Sequence, residues 1–166
     1  MRRMFRVSLA LAVLSLVAFS QPGQAGSASL PELIEELESW LDTNSPWPRR
    51  ETPPAIRMLP PSLAAGQYGS AGYAGGRLRA FYDGGTDTIT LVSPWDIRDP
   101  ADQSVLLHEL AHHRQAPHHW YCAGAQELPA YRLQAAWAEE NGAMVSINWM
   151  AAVMESGCTR RDIHPD

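Results

Sequence analysis

His108-Glu109-Leu110-Ala111-His112 has the spacing H-E-x-x-H. Residues four apart on an α-helix sit one above the other, so both imidazoles leave one face, a turn apart. Two nitrogens so placed can grip one Zn2+ at about 2.0–2.1 Å each. Glu109 falls one step round the helix, close enough to take a proton from metal-bound water without being a ligand. The pattern therefore carries a reaction class, metal-assisted hydrolysis. The competing reading is an amphipathic helix whose two histidines are half exposed. Against it stand the flanks, where Val105, Leu106, Leu107, Leu110 and Ala111 are apolar and suit a helix buried in a core.

The elements that must position this helix follow from local signals. Asp99-Pro100-Ala101-Asp102 reads as a helix start, with an acceptor cap, proline at the first position and early acids. Pro117 ends the helix by Gln115. Upstream, Ser29 and Glu32 form a capping box, and Leu30, Leu33, Ile34, Leu37, Trp40 and Leu41 recur at helical spacing. That predicts an amphipathic helix over 30–42, placed to cover a sheet. Prolines break the chain over 44–61, with room for one short strand at 55–59. Residues 66–76 are rich in Gly, Ala and Ser and read as a loop. Two β-rich runs, 78–82 and 88–92, flank Asp83-Gly84-Gly85-Thr86-Asp87 and predict a hairpin. The acids of that turn lack the D-x-D-x-D-G order of a calcium loop, so turn chemistry explains them. Two helices follow the motif, over 126–140 and 143–155. The second carries a stripe of Met144, Met150 and Met154, read as core packing.

A catalytic zinc has three protein ligands and one open position. Two residues compete for the third place. Glu127 lies fifteen residues beyond His112, and His118 lies six beyond it. Pro129 forces Glu127 into the first turn of its helix, because proline is tolerated only there. Tyr131, one turn further on the same face, is placed to orient a histidine or to donate to an oxyanion. His113 faces away from the His108/His112 side, and His119 and His164 read as solvated.

The chain has 166 residues, 45% hydrophobic and 19% charged, enough for one globular domain with its own core. Its first residues differ. Arg2, Arg3 and Arg6 precede an apolar run over 7–19, and small residues surround Ala25 and Ala28. This is the layout of a secretory signal over 1–25, too short for a membrane span, followed by a single domain over 29–166. Arg2-Arg3 also fits a twin-arginine variant of that signal. The signal holds three arginines and no acid, so the mature part is three charges more negative than the whole chain's −5. A chain so acidic, with no lysine, argues against nucleic acid or an anionic membrane as partner and excludes lysine-based catalysis. Cys122 and Cys158 are the two cysteines, and in an exported chain they pair by default. The alternative makes Cys122 a zinc ligand.

H-E-L-A-H followed by a glutamate on a later helix resembles the gluzincin arrangement of zinc metallopeptidases. The hairpin, the Trp95-Asp96 lead-in and the segment from Glu127 through Ala130-Tyr131 are similar to small secreted bacterial proteins with this motif. The resemblance implies an α+β, zincin-like fold: a small antiparallel sheet packed on the motif helix, one helix before it and two after. It implies His108, His112 and Glu127 as ligands of one zinc and Glu109 as base. Gluzincins often carry an acid four residues after the ligand glutamate, where this chain has Tyr131. A metzincin would need glycine to turn the chain where Gln115 stands. The expected function is an exported zinc hydrolase acting on peptide or protein, with strand 88–92 pairing with the substrate. The rivals are a metal-stabilised binding module without turnover, and a cell-wall amidase.

Overall fold

The computed structural model describes residues 29–68 and 78–158. The predicted signal at 1–25 and most of the glycine-rich loop lie outside them. Helix α1 (Leu30–Asn44) starts where the capping box places it, with the Ser29 N–H donating to Glu32 Oε2 at 2.8 Å. Its Leu33, Leu37 and Leu41 are buried on one face. They join a core shared with the metal-motif helix α3 (Pro100–Gln115) and with Ile89 and Leu91 of the sheet. The helix leans chiefly on α3 rather than spreading over the sheet.

Three strands form the sheet in the order β1-β3-β2: β1 (Ala55–Leu59), β2 (Ala80–Asp83) and β3 (Thr88–Val92). The predicted hairpin is β2 and β3, antiparallel, with Phe81 opposite Thr90. Its turn is held by Asp83, whose carboxylate accepts from the Gly85 N–H at 2.9 Å and the Thr86 hydroxyl at 2.7 Å. The sheet is mixed rather than antiparallel, because β1 pairs with β3 in parallel. A parallel partner needs a crossover, supplied here by the chain through α2 (Pro61–Tyr68) and β2. This arrangement overturns the expectation that strand 88–92 receives a substrate: β3 is central, both of its edges are already paired, and four of its five residues are buried. On one face Ile89, Leu91 and Ala80 meet α1 and α3; on the other Phe81 and Val92 meet Ala64 of α2.

After α3 a 3-10 turn (Ala123–Gln126) leads into α4 (Glu127–Glu140). The last helix, α5 (Trp149–Ser156), is shorter than the periodicity predicts. Gly142 takes a left-handed φ of 68°, and Asn148 caps the new start by accepting from the Ala151 N–H at 3.1 Å. The methionine stripe is not core: Met144 is 97% exposed, Met150 73% and Met154 71%. α5 docks through small groups, burying Ala152, while the Glu155 carbonyl presses so close to Gly124 that a Cβ there would lie 2.2 Å from it. Contacts made by backbone and alanine leave the bulky side chains outside.

Candidate metal centre

α3 begins as its sequence dictates. Asp99 accepts from the Ala101 N–H at 2.9 Å, and Pro100 occupies the first helical position. Asp102 is buried and accepts from the Asp96 N–H at 2.7 Å and from Arg79, while the Trp95 indole donates to the Asp102 carbonyl at 3.0 Å. The lead-in is thereby fastened to the first turn, and the helix runs on into the core.

One turn apart, His108 and His112 bring their Nε2 atoms to 3.0 Å. Glu127, in the first turn of α4 as Pro129 requires, places Oε2 at 3.5 Å from His108 Nε2 and Oε1 at 3.5 Å from His112 Nε2. The three ligand atoms lie within 4.8 Å of one another. Tetrahedral ligands of zinc stand roughly 3.3–3.5 Å apart, given bonds of 2.0–2.2 Å. The two Glu127 distances match that spacing, while the ring nitrogens at 3.0 Å stand somewhat closer than it, and two ring nitrogens facing a carboxylate are the donor types zinc takes. His118 is exposed in the turn after α3 and outside this cluster. Cys122 is bonded to Cys158, which removes it as a ligand. Among the described residues no other group of histidine, cysteine and acid converges in this way.

The charges of the cluster are mutually dependent. Burial alone would raise the Glu127 carboxyl, but hydrogen bonds and charge from His108 and His112 outweigh it and hold the group well below the usual carboxylate range. Burial opposes a charge on His112; the two glutamates and the Gln115 amide outweigh it and raise its pKa. Glu109 is buried at 6% exposure, and that burial is the main reason its pKa is raised; Glu127 adds to it, while His108, His112 and a backbone hydrogen bond from Tyr82 pull it back. Glu109 thus lies beside the triangle without belonging to it, surrounded by the two histidines, Glu127 and the Tyr82 backbone of edge strand β2. The Tyr131 ring packs on His108 with centroids 4.4 Å apart.

Several residues around the site carried no sequence signal that was read. Gln115, fully buried, accepts at Oε1 from His112 Nδ1 at 2.9 Å and donates to the Gln126 carbonyl at 3.2 Å. Its position three after His112, on the same helical face, was the available clue. Arg114 is buried with Glu38 of α1, donating to its carboxylate, to its carbonyl at 2.8 Å and to Asp42 Oδ1 at 2.7 Å. His113 does face away from the triangle, but it is only 1% exposed, lying 3.4 Å from Asp87 and edge-on to Tyr82.

No helix among the described residues is long and apolar enough to cross a membrane. No curated protein and no solved structure matches the chain. The signature that does match covers residues 26–166, and so contains the triangle, the acid beside it and every element that positions them: the chain belongs to the family described as Domain of unknown function (DUF6647).

Proposed function

We propose that this chain is an exported zinc hydrolase, a metallopeptidase of gluzincin type, with Glu109 as general base. The observation that carries the reading is a largely buried His108/His112/Glu127 triangle with an additional buried acid, Glu109, beside it and outside the ligand set. When bound, zinc supplies a Lewis acid and lowers the pKa of water toward neutrality. Glu109 accepts the proton of the attacking water and passes it to the leaving amine. Tyr131, its ring tilted against that of His108, donates its hydroxyl to the developing oxyanion.

Peptide or protein is the substrate, because an edge strand borders the site. Arg79 and Phe81 turn their backbone groups toward β3, with the Val92 N–H donating to the Arg79 carbonyl at 2.8 Å, so Ala80 and Tyr82 turn theirs outward. Tyr82 lies near Glu109, so this outer edge runs beside the base, and an extended chain added there meets the catalytic groups. Cleavage of a signal near Ala25 fits a mature domain whose two cysteines are joined.

The test is Glu109→Gln in the zinc-loaded protein, assayed on a peptide library. Zinc is expected to remain at one equivalent while turnover falls about 10²–10⁴-fold. Undiminished turnover removes Glu109 as base. A site with four protein ligands is the arrangement a purely structural metal requires; three groups and a free acid favour the catalytic reading.

A further inference from the structure

We infer that Gln115 is a positioning residue that clasps the two halves of the metal centre, fixing the tautomer of His112 with one end of its amide and anchoring the segment that carries Glu127 with the other. The inference rests on the metal-binding reading of the triangle. The ligands come from two helices: His108 and His112 from α3, Glu127 from the first turn of α4. Beside the packing of Tyr131 on His108, the buried Gln115 side chain ties the end of α3 to the residue before Glu127.

The orientation of that amide is not free. The Gln126 carbonyl only accepts, so the nitrogen of Gln115 must face it, at 3.2 Å. The oxygen then faces His112, 2.9 Å from Nδ1. An amide oxygen only accepts, so Nδ1 carries the proton and the lone pair of His112 is at Nε2, the atom directed at Glu127 and His108. One planar group thereby sets which nitrogen of His112 can ligate. Through Gln126 it also sets where the residue before Glu127 stands. His108 has no equivalent: its Nδ1 is buried without a hydrogen-bond partner among the described residues, and its ring is held by packing against Tyr131. The clasp is further fastened from behind, where the Trp120 indole donates to the Gln115 carbonyl at 3.1 Å.

Partners of this kind change metal affinity about 10–100-fold when removed. The experiment measures zinc affinity by competition with a chromophoric chelator, cobalt(II) absorption as a report on ligand geometry, and apo-protein melting as a check on folding. Gln115→Leu removes both ends of the clasp; it is expected to weaken zinc 10–100-fold and to alter the cobalt spectrum. Gln115→Glu keeps an acceptor for His112 and is expected to recover most of that loss and the wild-type cobalt spectrum. A folded Gln115→Leu protein with wild-type affinity and an unchanged spectrum overturns the inference. Should Gln115→Leu fail to fold, a tenfold or greater loss in Gln115→Glu overturns the His112 half of it. Wild-type protein that takes up no zinc defeats the metal reading and this inference together. Wild-type protein that binds zinc but hydrolyses nothing defeats the proposed reaction alone, and the two variants still decide the role of Gln115.

Discussion

Opening the Cys122–Cys158 bridge should cost the fold a large share of its stability and loosen Glu127. The bridge closes a loop of sequence separation 36, with Cα atoms 5.8 Å apart. Chain entropy assigns such a closure about 4 kcal/mol. Domains are stable by roughly 5–15 kcal/mol, so the loss is a substantial fraction of the whole. For a domain of this size the melting temperature should drop by roughly 10–20 °C. The loss is not spread evenly. α5 buries little of its own surface, only Ala152 fully, so the bridge matters to its docking, and the 3-10 turn against which α5 packs runs directly into Glu127. Zinc affinity should therefore fall with stability. The assay is thermal melting and chelator competition on the Cys122→Ser/Cys158→Ser double variant, which avoids thiol reductants that themselves bind zinc. A melting temperature within about 3 °C of the bridged protein refutes the reasoning.

Two further perturbations address the groups around α3. Arg114→Met leaves the Glu38 carboxylate buried without its main cation and should destabilise by about 3–5 kcal/mol in urea unfolding, whereas Glu38→Gln, which leaves Arg114 with Asp42 and two carbonyls, should cost less; equal costs count against the network. Burial would raise Asp87, but hydrogen bonds from Tyr82 and Arg50, with the charges of His113 and Arg50, hold it below its ordinary value. The stability it contributes is therefore complete above the ordinary carboxylate pKa of about 4 and disappears as pH falls from there through the lowered folded value. The gap between wild type and Asp87→Asn should be widest at neutral pH and close below about pH 4; a gap that widens on acidification contradicts the assignment.

What could be read from the sequence was what local chemistry dictates. The limits of α3 follow from Asp99-Pro100 and from Pro117, and Pro129 confines Glu127 to the helix start, where it meets the histidines. Two cysteines allow one pairing, which is the bond found. What could not be read depended on partners distant in sequence. The pairing of β1 with β3 joins segments separated by α2 and β2, and no local pattern distinguishes a parallel neighbour from an antiparallel one. Periodicity shows which side chains share a helix face, not whether anything covers that face; hence Met150 and Met154, spaced as a core stripe, stand exposed. Nor does any local pattern mark Arg114 and Gln115, two polar residues at the end of their helix, as buried, which both are.

That last failure has a single cause. α3 is surrounded, with twelve of its sixteen residues buried, and the buried set includes Asp102, Ser104, Glu109, Arg114 and Gln115 as well as the histidines. A helix covered on every side has no amphipathic stripe, so most of its buried polar groups are met by particular neighbours, the ring nitrogens of His113 and Nδ1 of His108 being exceptions among the described residues. Arg79 and the Asp96 N–H meet Asp102, Gln134 of α4 meets Ser104 at 3.2 Å, β2 meets Glu109, α1 meets Arg114, and the Gln126 carbonyl meets Gln115. Each lost partner would leave a buried polar group unsatisfied, at about 1–3 kcal/mol. The apolar contacts run alongside, Leu106, Leu107, Leu110 and Ala111 sharing one core with Ala130, Leu133 and Trp137 of α4. The interface that sets Glu127 opposite the two histidines is therefore made of carbon and of hydrogen bonds the protein supplies itself. In a domain whose metal does the folding, the ligands are what hold the elements together. Here the elements hold the three donors, so that a cation bound among them would be left a coordination position that no side chain is required to fill.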